Sequence, residues 1–207
     1  MQRFAIYHKS ESFRPTTNQV FYTFNVAVLS IWIFLETIAK TELFSRALGW
    51  AVAISWLMAL SAMLIGKFKS PPLRGILEGF ISFQNDKIIV ENEIFNLNDI
   101  KRIKLTNDDY YGKIRYLGRG NFNASYSNGV DNELLIELNS SVVKVYNFEI
   151  YNSADFQKIE PELINYYLQG KLEFSLLTNL LGLEKNDEIN DFKDYCKSTA
   201  AKSDFAQ

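Results

Sequence analysis

The residues best suited to chemistry crowd into one segment, residues 108 to 132. It contains Tyr110, Tyr111, Lys113, Arg115, Tyr116, Arg119, Asn121, Asn123 and Tyr126. Lys113 and Arg115 stand two apart, so on a strand they share a face, and Tyr111 takes the next position of the same parity. Cations beside aromatic rings and amides can hold an anionic, stackable ligand such as a nucleotide or a peptide carboxylate. Tyr111, Lys113, Arg115, Arg119, Asn121 and Tyr126 are therefore the candidate ligand-binding residues. The plainer reading is a surface strand and loop whose basic stems cover apolar surface.

Other chemistry is sparse. Asp108 and Asp109 form an adjacent acidic pair, but neighbours on an extended segment point to opposite faces. There is no G-x-x-x-x-G-K-[ST] and no G-x-G-x-x-G, and Gly118-Arg119-Gly120 reads as a turn. The one histidine, His8, stands near the N-terminus, remote in sequence from the other polar groups that a Ser–His–Asp or Cys–His arrangement would need. The one cysteine, Cys196, excludes an intrachain disulfide and a Cys-rich zinc site, and it falls on an apolar helical face. No catalytic residue, metal site or cofactor is expected, and the chain is not read as an enzyme.

The elements that position these residues differ sharply between the two ends. Residues 1–70 carry a net charge of +4 and residues 71–207 a net of −6, within an overall −2. A basic, apolar front joined to an acidic, polar remainder predicts a membrane anchor carrying a water-soluble domain. Residues 47–66 are 20 residues without a charge, about 30 Å as a helix and enough to cross a bilayer. Residues 20–38 form a second apolar run, interrupted by Asn25 and Glu36, with a short polar stretch between the two. The pair predicts a transmembrane hairpin preceded by a cytoplasmic arm, residues 1–19.

Arg3, Lys9 and Arg14 before the hairpin and Lys67, Lys69 and Arg74 after it outnumber Lys40 and Arg46 in the loop. The positive-inside rule then places both termini in the cytoplasm, in a multi-pass protein of the inner membrane. Glu36 can anchor at the interface with Lys40 four residues on, or can mark an ion pathway. Ala51, Ser55, Ala59, Ala62 and Gly66 make a small-residue stripe suited to close packing, either against the first helix or between chains as a homo-oligomer.

Beyond Pro71-Pro72 the pattern is strands, then helices. Runs at 73–83, 87–91, 102–106, 110–117, 133–138 and 142–148, with a short run at 94–95, predict six to seven antiparallel strands. Helical spacing follows from Phe156 to Gln169, then at Leu176–Leu181 and Ile189–Cys196, with a disordered tail at 198–207. The −6 charge of this half argues against a nucleic-acid polymer and against tight binding to anionic lipid heads.

Two stretches carry a resemblance: Gly79-Phe80-Ile81-Ser82-Phe83 leading to Asp86-Lys87-Ile88-Ile89-Val90, and Phe95-Asn96-Leu97-Asn98-Asp99-Ile100-Lys101-Arg102-Ile103. With the apolar hairpin, they resemble bacterial two-transmembrane proteins bearing a pleckstrin-homology-like (PH-like) domain of the YcxB-like kind. The outline is also similar to the two-transmembrane β-barrel effectors of cyclic-oligonucleotide antiphage systems. The first resemblance implies a membrane α-helical hairpin plus an α+β domain. That domain would be a partly open antiparallel PH-like barrel at 71–170; the helical extension read from spacing at 171–197 is not part of the family's usual pattern. Its implied work is non-catalytic binding or scaffolding in the lipid bilayer, with self-association or an unidentified protein partner. The second implies a nucleotide ligand held by the barrel.

Overall fold

The computed structural model describes residues 2–10, 15–39, 42–115 and 124–204. It divides into two units: residues 1–10, 73–113 and 128–207, and residues 11–72 and 114–127.

The first unit is α+β. Its sheet has seven strands, mostly antiparallel: β1 (Arg3–Lys9), β2 (Gly75–Phe83), β3 (Lys87–Val90), β4 (Glu93–Asn96), β5 (Ile100–Leu105), β8 (Asn132–Leu138) and β9 (Val143–Phe148). A separate two-stranded ribbon joins β6 (Tyr111–Ile114) to β7 (Tyr126–Asn128). The order in the large sheet is β4-β3-β2-β1-β9-β8-β5.

β4 and β5 are thus at opposite ends of the order, yet only the tight turn Leu97–Asp99 separates them. A flat sheet would hold them about 28 Å apart at about 4.7 Å per strand, and three residues reach about 10 Å. The sheet must therefore curl. The curl also brings β4 against β9, four places away in the order: Glu93 on β4 accepts a hydrogen bond from the Tyr146 hydroxyl on β9 (3.1 Å) and pairs with Lys144 (3.2 Å).

β1 corrects the expectation of an arm at 1–19. Arg3–Lys9 is an interior strand, paired with β2 from Arg3↔Ser82 to Lys9↔Gly75 and with β9 at Ile6↔Phe148. Phe4 and Ile6 point into the core. The Phe4 ring lies 5.7 Å from Phe83, 5.7 Å from Phe148 and 5.1 Å from Phe156, stacked on the last. The alternation in β1 is only two inward residues long before a register shift between Ala5 and Tyr7. Its partner strand follows the whole hairpin, so a local reading could not pair them. The hairpin is therefore an insertion between two adjacent strands, and does not precede the domain.

The helices after β9 belong to the same core. A short turn, Asp155–Ile159, leads into α3 (Glu160–Leu168), followed by α4 (Phe174–Leu181) and α5 (Asn186–Asp204). Pro161 lies in the first turn of α3, where its missing N–H costs nothing. Leu163, Tyr166, Leu177, Leu180 and Cys196 pack in one cluster with Ile81, Ile103 and Ile136 of the sheet. Tyr166 donates its hydroxyl to the Gln84 carbonyl (2.6 Å), so burial is compatible with its polar end. The extension expected at 171–197 is therefore part of the domain. The disordered tail expected from 198 is also corrected: α5 continues to Asp204, with Lys185–Glu188 and Lys197–Asp194 pairs at i,i+3 spacing.

In the second unit, α1 (Thr17–Phe34) runs into a wider π-helical turn at Leu35–Ala39, and α2 (Glu42–Lys67) returns. A capping box starts α1: the Gln19 N–H donates to Thr16 Oγ (3.2 Å) and the Thr16 N–H donates to Gln19 Oε1 (2.8 Å). Two stretches, Asn18–Thr37 and Gly49–Lys67, are long and apolar enough to cross a membrane, and only 11% and 6% of their residues are buried. Val26, Ile33, Ile54, Leu57 and Ile65 are exposed. Ser30, Thr37, Ser55 and Ser61 each return their hydroxyl to a carbonyl one turn back. Polar groups in lipid must find partners within the protein in this way. Phe21, Asn25 and Met63 are buried, and the Phe21 and Trp56 rings lie 6.0 Å apart across the hairpin.

Candidate functional site

Of the residues singled out from the sequence, Tyr111, Lys113 and Arg115 are already engaged locally. Tyr111 stacks on Tyr151, with ring centroids 5.2 Å apart and planes 9° apart. Lys113 donates to the Asp108 carbonyl and lies 5.8 Å from the centre of the Tyr110 ring. Arg115 donates to Ser127 Oγ (2.7 Å), and its backbone N–H donates to the Ser125 carbonyl (2.7 Å). The Ser125 N–H in turn donates to the carbonyl of Lys67, the last residue of α2 (2.9 Å). Tyr126 is half-buried at the start of β7. Tyr116, Arg119, Asn121 and Asn123 lie outside the described residues, as do Arg14 and Lys40.

The Asp108–Asp109 pair divides by parity. Asp108 is exposed, whereas Asp109 is buried and accepts the Asp131 N–H on Oδ2 (3.2 Å). Asn132, fully buried, receives the Asp109 N–H on Oδ1 (3.1 Å) and donates Nδ2 to the carbonyls of Asp109 and Gly129 (2.8 Å each). This is a structural lock between segments, with both polar atoms of the Asn132 amide paired.

In the hairpin, Ser55, Ala59 and Gly66 are half-buried on the same side of α2 as Met63, and Ala51 is exposed off that face. The side chain of Ala62 is outside the described set. Glu36 is exposed and lines a cavity of about 430 Å³ with Trp32, Arg46, Gly49, Trp50 and Ala53.

A larger concavity, about 840 Å³, lies on the outer face of β1, β2 and β3. Nothing in the sequence brought its residues together, because it depends on β1 entering the sheet. Arg3 and Ser82 are cross-strand partners at one end. Ile76, Phe80 and Ile89 supply apolar floor. At the other end His8 Nε2 meets Glu91 Oε1 (3.2 Å) and the Glu78 carbonyl (3.2 Å). Both neighbours are acceptors, so the ring proton belongs on Nε2. His8 is thus central to a polar cluster, contrary to its isolation in sequence.

Two backbone features build this end. Glu91, in the β3–β4 turn, has φ +52°, a conformation that non-glycine residues seldom adopt. Gly79 has φ +76°, and a Cβ there would stand 2.5 Å from Glu91 Cγ. The glycine lets the Glu91 side chain lie flat against β2. Ser82 is only 8% exposed and its hydroxyl has no partner, an expensive state for a polar group. Among the described residues Arg3 forms no ion pair.

No described group of three His, Cys, Asp or Glu side chains could hold a metal ion. Cys196 is buried, and burial pushes its thiol further from the reactive thiolate, with Glu160 adding to the effect. No family model, curated protein or solved structure matches the chain.

Proposed function

We propose that this is an integral membrane protein whose hairpin crosses a bilayer and whose sheet domain, on the cytoplasmic side of an inner membrane, works by binding and not by catalysis. The observation that carries the reading is the lipid-compatible exterior of the hairpin. An apolar pair of helices with only 11% and 6% of its spanning residues buried would expose a large greasy surface to water. The insertion of the hairpin between β1 and β2 adds to this. Lys9 and Gly75 are paired, so a hairpin that leaves and re-enters the sheet returns the chain to the side it left. The PH-like reading of the domain is supported by the strand order, in which β1–β4 meander on one side of the β1–β9 junction, and by α3 packed on the same core. Binding over catalysis is supported by a buried thiol at Cys196 and by a His8 held between acceptors, remote along β1 from the Arg3–Ser82 pair. The test is extraction: full-length protein in isolated membranes should resist alkaline carbonate and dissolve in detergent. Release by carbonate would contradict the reading.

A second reading is favoured by the link from Arg115 through Ser125 to the end of α2. A nucleotide engaging the β6–β7 ribbon would pull on a membrane helix, as in a ligand-gated effector. Thermal unfolding of the full chain in detergent with a panel of linear and cyclic nucleotides tests it. A rise in Tm that Arg115→Ala abolishes supports gating, and no shift with any member rejects it.

A further inference from the structure

We propose that the concavity on the outer face of β1–β3 is a binding site for a small zwitterion of di- to tripeptide size. Its carboxylate would sit at Arg3 and Ser82, and its ammonium at Glu91 and Glu78. The inference goes beyond the membrane reading and does not depend on whether the hairpin spans a bilayer. Its volume, about 840 Å³, is within the range of small-molecule sites.

Four observations carry it. The first is Ser82: a hydroxyl on a nearly buried residue, without a partner, on the wall of the cavity. Burying such a group costs stability unless something completes it; the oxygen is closed off from the cavity as it stands, and a turn of the Ser82 χ1 rotamer would present it to a carboxylate oxygen. The second is Arg3, directly across the strand pair from Ser82 and without an ion pair among the described residues. A guanidinium and a hydroxyl side by side make an anion subsite.

The third is charge separation. The far end presents two carboxylates, Glu78 and Glu91, against one imidazole, His8. A multiply charged anion such as phosphate would be repelled there, whereas an ammonium would be welcomed. The fourth is length. The Glu91 N–H donates to the Phe80 carbonyl (3.0 Å), which places Glu91 two residues along β2 from the Ser82 row. That is about 7 Å along the strand, and β1 to β3 adds about 10 Å across. The two legs make a diagonal of about 12 Å between backbones, which side chains reaching inward would shorten toward the length of an extended tripeptide, about 10 Å. The exposed Phe80 ring and Ile89 lie between the two ends as an apolar floor. The unusual backbone at Glu91 and the glycine it requires at position 79 fit a carboxylate held in place for a ligand.

The experiment is calorimetric titration of the full-length protein in detergent with trialanine as probe. N-acetyl-trialanine, trialanine amide and inorganic phosphate are the comparison arms. Saturable binding of trialanine is expected, weakened about tenfold or more by removing either terminal charge from the probe. Arg3→Gln and Glu91→Gln should each weaken it by a similar factor, and Ser82→Ala should weaken it several-fold. Lys144→Gln, outside the concavity, should leave it unchanged. Circular dichroism of each variant checks that the sheet persists. If Glu91→Gln disturbs folding, Glu78→Gln replaces it as the test of the ammonium end. No saturable binding of trialanine overturns the proposal. So does binding that ignores the probe's termini or the Arg3 substitution. Phosphate binding more tightly than trialanine also overturns it, in favour of a simple anion site.

Discussion

At the scale of single residues, burial and pairing decide what each polar group can do. Asn132 is tolerated in the core because its amide pairs with the backbone N–H and carbonyl of Asp109 and with the carbonyl of Gly129. Gly129 beside it has φ +72°, and a Cβ would stand 2.3 Å from the Ile150 carbonyl, so the lock admits no side chain there. Glu149 behaves differently. Burial pushes its carboxyl above the ordinary carboxylate range of about 4.3. The folded state therefore favours its protonated form. Its contribution is fully favourable below the unfolded pKa and is lost as pH rises through the folded one. Glu149→Gln removes that loss. The variant should unfold at a higher temperature than the parent at pH 7, and the difference should vanish near pH 4. Thermal unfolding of the detergent-solubilised protein at both values checks this, and equal melting temperatures at pH 7 would contradict it.

Among the elements, β1 decides most. Phe4 touches three other aromatic rings in the core, so Phe4→Ala should cost about 3–5 kcal/mol. Denaturant unfolding of the full chain, followed by the fluorescence of its tyrosines and tryptophans, measures the loss. A cost below about 1 kcal/mol would show that β1 is not an interior strand. The same strand shows where sequence reading stops. The β8–β9 hairpin was legible because Glu133–Leu138 and Val142–Phe148 alternate on either side of a three-residue turn, and contact is local. The apolar hairpin was legible from its length and lack of charge. β1 was not: two inward residues and a bulge are too short a signal, and its partner lies across two long helices. The concavity followed β1 out of sight, because Arg3 and His8 meet Ser82 and Glu91 only through that pairing. The Tyr111–Arg115 segment was legible as a strand, but its stacking on Tyr151 and its bond to Ser127 depend on residues 12 or more positions away.

In the whole molecule, an apolar hairpin interrupts the sheet between two paired strands, β1 and β2. Strands on both sides of the insertion share one core, so on the proposed reading the chain would leave the sheet, cross the bilayer twice and return on the side it left. The direct measurement is site-specific labelling with a membrane-impermeant maleimide, in a Cys196→Ser background, on intact cells and on inverted membrane vesicles. Lys9→Cys in β1 and Lys144→Cys in β9 should both label only in inverted vesicles. Glu42→Cys, at the start of α2, should label only in intact cells. Labelling of positions 9 and 144 from opposite sides of the membrane, or of all three from the same side, would contradict the account.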